Sequence, residues 1–159
     1  MDNKNIRGKK ITKAAVFFLA ILLLLPIYNS SFAAAVFNTE SKPQKGVDFS
    51  LYDLKGNNIS FQNNGGKPVI IFFWATWCPF CADKFPILIK EYSNMQSKGI
   101  ELLAVNINEP KDRVENFLKK LGAVEFPVLL DEGAKVAYEY KLVGVPTFIL
   151  IDSQGMIKS

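Results

Sequence analysis

Two hydrophobic patterns alternate along this chain: unbroken apolar runs, and stretches in which apolar residues return every three or four positions. The stretch "VDFSLYDLKGNNISF", beginning at Val47, holds two short alternating runs around Lys55-Gly56-Asn57-Asn58, the pattern of a β-hairpin. Residues 69–75, "VIIFFWA", are continuously apolar and rich in β-branched and aromatic side chains, which predicts a central strand buried on both faces. A helix is expected to start near Cys78 or Pro79, because proline suits a first helical turn. Pro86 falls inside that helix and is expected to kink it. "IELLAVNI" predicts a second buried strand. "PKDRVENFLKKLG" places Val114, Phe117, Leu118 and Leu121 at helical spacing between Pro110 and Gly122. "FPVLLD" reads as a third core strand, "EGAKVAYEYKL" as a short helix, and "PTFILID" as a fourth strand ending in a turn at Asp152-Ser153-Gln154-Gly155. Strands alternating with helices argue for an α/β sheet. There are no repeats and no low-complexity segment.

Residues 14–28, "AAVFFLAILLLLPIY", carry no charge, and five basic residues (Lys4, Arg7, Lys9, Lys10 and Lys13) precede them against Asp2 alone. That is the composition of an export leader. The run is at the upper end for a signal-peptide core and short for a bilayer span of ~20 residues. Small residues at Ser31, Ala33 and Ala35 offer cleavage sites, so residues 1–36 read as a signal peptide, with an uncleaved membrane anchor as the alternative. Either way the later residues are expected outside the cytoplasm, since positive charge stays on the cytoplasmic side. Residues 37–46 are polar and read as a linker, and residues 47–159 as the folded domain. The leader accounts for the whole net charge of +4 and leaves the remainder neutral. No basic surface remains to argue for nucleic-acid binding.

The chain has two cysteines, Cys78 and Cys81, and no histidine. A structural zinc site needs four ligands, usually cysteine or histidine, so one chain cannot build it from these residues. A structural crosslink stabilises mainly by closing a long loop, and this loop has two intervening residues. A dithiol–disulfide exchange centre fits best. Cys78 is expected at a helix start, exposed, where free N–H groups and the dipole favour the attacking thiolate. Cys81, one turn on and more covered, can resolve a mixed disulfide. A C-x-x-C beside a strand–helix pattern is a recognised redox signature. Exchange needs no imidazole, whereas a Cys–His hydrolase does.

Residues 47–158 resemble the thioredoxin superfamily, specifically its exported TlpA/ResA-like branch. Three segments carry the resemblance, in order and spacing: "FFWATWCPFC" for the strand and W-C-x-x-C centre, "PKDRVENFLKKLGAVEFPVLLD" for the helix–strand insertion of this branch, and "VGVPTFILID" for the V-x-x-x-P-T loop. The resemblance implies a thioredoxin-like α/β fold with a central mixed sheet, flanking helices and an N-terminal hairpin. It implies Cys78 as nucleophile and Cys81 as resolving cysteine, Trp77 sheltering the sulfurs, Pro146 in cis against the disulfide, and Val145 offering backbone groups to a substrate strand. It implies no cofactor beyond the Cys78–Cys81 disulfide, and partners that are exported proteins with cysteines (apocytochrome c is the best-known case) and a membrane electron donor.

Two positions and the chain's last segment depart from the pattern. Phe72 stands six residues before Cys78, where the family has a buried Asp, and Lys84 stands three after Cys81, where the branch has Glu. Glu109, at the end of the second strand, is then the remaining candidate proton acceptor for Cys81. The family's final helix does not follow "DSQGMI", which is expected to leave apolar surface near Phe148 and Leu150. Two other classes remain as alternatives: a peroxiredoxin-like thiol peroxidase, disfavoured by Ala75 where that class has Thr, and a non-catalytic binding module that keeps the fold.

Overall fold

The computed structural model describes residues 44–61 and 65–158. The leader, and the linker up to residue 43, lie outside the described residues. Six strands form one sheet in the order β2-β1-β5-β4-β3-β6. The hairpin strands β1 (Ser50–Asp53) and β2 (Asn58–Ser60) pair antiparallel, with Tyr52 opposite Asn58. Gly56 makes the turn between them with a φ of 85°, a conformation that costs glycine little. Asp53 fastens the turn by accepting the N–H groups of Lys55 and Asn57, each at 2.8 Å.

The centre of the sheet is parallel. β3 (Val69–Trp74) runs beside β4 (Glu101–Ile107), and β4 beside β5 (Val128–Asp131). β6 (Thr147–Ile151) closes the far edge antiparallel to β3, and β1 lies antiparallel to β5. The sheet is therefore mixed, as the resemblance implies. Its apolar runs serve both faces. Phe72, Trp74, Leu102, Ala104, Val128 and Leu130 join one core cluster, while Val69, Ile71, Phe73, Leu103, Val105 and Leu129 join the other. This alternation is the two-residue period of a strand, and it explains why β3 shows no polar face in the sequence.

The helix expected after β3 is broken. α1 (Pro79–Ala82) and α2 (Phe85–Ser97) are separated by Asp83 and Lys84. Pro86 has no N–H to donate to the carbonyl four residues back, so the ladder fails there and resumes with Leu88 N–H on the Lys84 carbonyl at 3.0 Å. α2 anchors its face through Phe85, whose ring packs edge-on to Phe72, Trp74 and Phe117 and stacks near Phe126. α3 (Lys111–Leu118) is shorter than its periodicity suggests. Lys120 and Leu121 donate to the carbonyls three residues back, at 3.1 and 2.9 Å, which tightens the last turn before Gly122.

After β5 the chain makes a short 3-10 turn (Glu132–Ala134) and then α4 (Lys135–Glu139). Buried Asp131 caps α4, accepting the N–H groups of Val136 at 3.1 Å and Ala137 at 2.9 Å. The Tyr140 hydroxyl pins the incoming chain, accepting from Val47 N–H at 3.1 Å and donating to the Val47 carbonyl at 3.2 Å. On β6, Phe148 is half-buried and stacks on Phe72 at 4.6 Å between centroids, and Leu150 is exposed. Among the described residues no helix is long and apolar enough to cross a membrane.

Candidate active site

The parallel strands β3, β4 and β5 end on one edge of the sheet, and the cysteines stand there. Ala75, Thr76 and Trp77 carry the chain from β3 into Cys78, in a turn closed by the Cys78 N–H on the Ala75 carbonyl at 3.2 Å. Cys78 has extended backbone angles and is the N-cap of α1, with Pro79 following as the first helical residue. The Cys81 N–H donates to the Cys78 carbonyl and to its Sγ, each at 3.1 Å. That amide faces the sulfur that carries negative charge as a thiolate. The two cysteines are joined in a disulfide, with Cα atoms 5.2 Å apart.

The expectation of an exposed Cys78 is corrected. Cys78 is 3% exposed and Cys81 wholly buried, both within the core cluster that contains Phe72, Trp74 and Phe85. The reason is packing. The oxidised pair is buried with the aromatic cluster, and the residue before Cys78 and the residue just before Cys81 take the exposure instead. Trp77 is 67% exposed and Phe80 70%. Phe72, where the family places Asp, is fully buried and stacked on Phe148, so an apolar ring occupies this part of the core. Lys84 is exposed.

The peptide bond between Val145 and Pro146 is cis. The Thr147 hydroxyl donates to the Gly144 carbonyl at 2.7 Å and ties that loop together. Val145 and Trp77 border a groove of about 710 Å³ whose other walls include Ile107, Ala137, Tyr138 and Leu142. Tyr138 and Val143 stand on its rim, both strongly exposed. Four of the large exposed apolar side chains thus sit beside the cysteines or on the groove that shares Trp77: Trp77, Phe80 between the two cysteines, Tyr138 and Val143.

Glu109 is buried just past the end of β4. Its carboxylate accepts from the Thr76 N–H at 2.7 Å, the Thr76 hydroxyl at 2.6 Å and the Asn106 side-chain amide at 2.8 Å, and Arg113 lies 3.8 Å away. Two of its donors thus come from the turn before Cys78. Thr76 and Asn106 join this cluster through Glu109, a contact that the sequence did not announce. Asn106 left one signal, as the single polar side chain inside the run "LLAVNI". Nothing in the pattern marks Tyr138 or Val143, which reach the groove only through the fold.

The sequence matches the AhpC/TSA family over residues 43–159. It is 37% identical over 154 residues to the thiol-disulfide oxidoreductase ResA of Bacillus subtilis, spanning 97% of this chain and 84% of that protein. It is 34% identical over 153 residues to ResA of Geobacillus thermodenitrificans, spanning 94% of this chain and 87% of that one. Among solved structures it resembles a putative thiol:disulfide interchange protein DsbE from Chlorobium tepidum, with a TM-score of 0.67 and 31% identity over 73% of this chain and 81% of the other. StoA from Bacillus subtilis is similar too, with a TM-score of 0.62 and 29% identity over 72% of this chain and 86% of that one. The chain belongs to the AhpC/TSA family of thioredoxin-like proteins, and with its cysteines already paired at a helix start it is a thiol–disulfide oxidoreductase.

Proposed function

We propose that this oxidoreductase works outside the cytoplasm, exchanging disulfides with cysteines of other exported proteins, apocytochrome c among them. The observation that carries the reading is the group of exposed apolar side chains, Trp77, Phe80, Tyr138 and Val143, beside the cysteines and on the neighbouring groove. A small-molecule thiol needs no such surface, whereas a protein client gains from burying it, aromatic residues most of all. The basic-then-apolar leader supports export, and it tethers the domain if uncleaved.

In the reducing direction the Cys78 thiolate attacks one sulfur of the client disulfide, and the other leaves as a thiolate. The Cys81 thiolate then attacks Cys78 in the mixed disulfide and releases the second client thiolate. The client gains two electrons and the Cys78–Cys81 disulfide forms; a membrane thiol donor reduces it again. The reverse sequence oxidises a client. Val145, before the cis bond to Pro146, offers backbone groups to the client strand, and the exchange requires no redox group beyond the disulfide.

The test has two arms. Reduced protein is mixed with a disulfide-bonded C-x-x-C-H peptide and, separately, with glutathione disulfide. Burial of one aromatic anchor is worth about 1.4 kcal/mol or more, so the peptide is expected to react at least about tenfold faster. Equal rates would overturn the protein-client reading. Whole cells are then reduced and labelled with a membrane-impermeant maleimide, and labelling only after lysis would overturn export.

A further inference from the structure

Resting on the reading of Cys78 as the exchanging thiol at the start of α1, we propose that Glu109 is a positioning residue. It sets the reactivity of Cys78 by strapping Thr76, two residues before it. The geometry is specific. Glu109 has a side chain only 3% exposed. It reaches across from β4 to the turn that leaves β3, and takes both donors of Thr76, one backbone and one hydroxyl, at 2.7 and 2.6 Å. The same turn closes on Cys78 through its N–H to the Ala75 carbonyl at 3.2 Å. Holding Thr76 therefore holds the direction in which Cys78 enters the helix, and with it the 3.1 Å approach of the Cys81 N–H to its sulfur.

The surroundings of the carboxylate are built for it. Fully buried Asn106 donates one side-chain amide hydrogen to Glu109 at 2.8 Å, while its own Oδ1 has no protein partner. A buried polar atom without a protein partner calls for an explanation, and orienting the amide onto Glu109 supplies one. Arg113 adds the one charged group found against Glu109 among the described residues, at 3.8 Å. Two donors from Thr76, one from Asn106 and the guanidinium occupy the acceptor capacity of a carboxylate, about four lone-pair sites. No sulfur is among these partners. This is the arrangement of a strut, and it differs from the proton acceptor suggested by the place of Glu109 in the sequence.

Strut and charge make opposite predictions for the thiol. Removing a nearby negative charge alone lowers the pKa of Cys78. Loosening the turn weakens the amide's grip on the thiolate and raises it. The experiment measures alkylation of Cys78 by iodoacetamide against pH in the reduced full chain, with the melting temperature recorded for each variant. Glu109→Gln and Thr76→Val are each expected to raise the apparent pKa by about half a unit and slow alkylation at neutral pH about threefold. The double variant is expected to be no slower than the slower single one, because both break one strap. Thr76→Ser, which keeps the hydroxyl, is expected to restore the rate. A lowered pKa in Glu109→Gln with Thr76→Val unchanged would overturn the proposal, as would additive effects or failure of the serine to rescue. If Glu109→Gln does not fold, the two Thr76 variants carry the test. A Cys78→Ser control that still exchanges disulfides would instead overturn the reading of Cys78 as nucleophile.

Discussion

Replacing Asp131 by alanine removes the cap of α4, and with it the support for one wall of the groove. The carboxylate is 1% exposed and accepts two backbone N–H groups at the start of that helix, from Val136 at 3.1 Å and Ala137 at 2.9 Å. Hydrogen bonds to a charged group contribute about 1.5–3 kcal/mol each, which bounds the pair near 6 kcal/mol. Water that reaches the freed amides offsets part of this, so the expected loss is about 3 kcal/mol, somewhat above the usual cost of losing an N-cap. At roughly 3–4 °C per kcal/mol for a domain of this size, the melting temperature falls by about 10 °C. Asp131→Asn keeps one acceptor and turns an NH2 toward the other amide, so its loss should be intermediate, about 5 °C. Calorimetry or circular dichroism on the oxidised protein measures both. An alanine variant within about 2 °C of the parent would refute the capping argument. So would an asparagine variant less stable than the alanine one, because that order makes the site favour an apolar group over a cap.

Tyr140 gives a pH prediction. Burial pushes its hydroxyl up to about 12, against the lowering effect of the Val47 backbone bond. The folded value exceeds the unfolded one of 10.0, so its contribution is complete below pH ~10 and is lost as pH rises toward about 12. Urea titrations across that window should show stability falling in the parent and a flatter profile in Tyr140→Phe, which itself costs roughly 1–3 kcal/mol at neutral pH through the stranded Val47 groups. Trp77→Ala and Tyr138→Ala should each raise the KM for a disulfide-bonded protein client by about tenfold while leaving the rate with dithiothreitol unchanged, since truncating an exposed aromatic anchor costs over 1 kcal/mol in binding. Steady-state kinetics with both substrates separates the two effects.

The elements of the fold were legible because each has a local cause. β3 is apolar throughout because both of its faces are covered, and the helix break follows directly from the missing N–H of Pro86. Asp53 and Gly56 together announce the hairpin turn. The cysteine pair was legible too, since a two-residue gap after a buried strand leaves few other chemistries. What stayed hidden depends on distant parts of the chain meeting. Glu109 and Thr76 lie 33 residues apart and touch only because β4 is the parallel neighbour of β3. The groove joins Trp77 to residues around α4 and the loop before β6, and nothing local marks them. The burial of Cys78 was missed for a related reason. Placement at a helix start predicts a site for a thiolate, but the burial of the oxidised pair is set by the aromatic cluster it packs with.

The central claim is that Cys78 attacks and Cys81 resolves, and trapping tests it most directly. Cys78→Ser and Cys81→Ser variants are each incubated, reduced, with a disulfide-bonded protein client, then run on a non-reducing gel, with the linked peptide identified by mass spectrometry. The account predicts a mixed disulfide through Cys78 that accumulates in Cys81→Ser, because the resolving thiol is gone, and neither adduct nor exchange in Cys78→Ser. An adduct through Cys81 would reverse the roles, and undiminished exchange in Cys78→Ser would contradict the account.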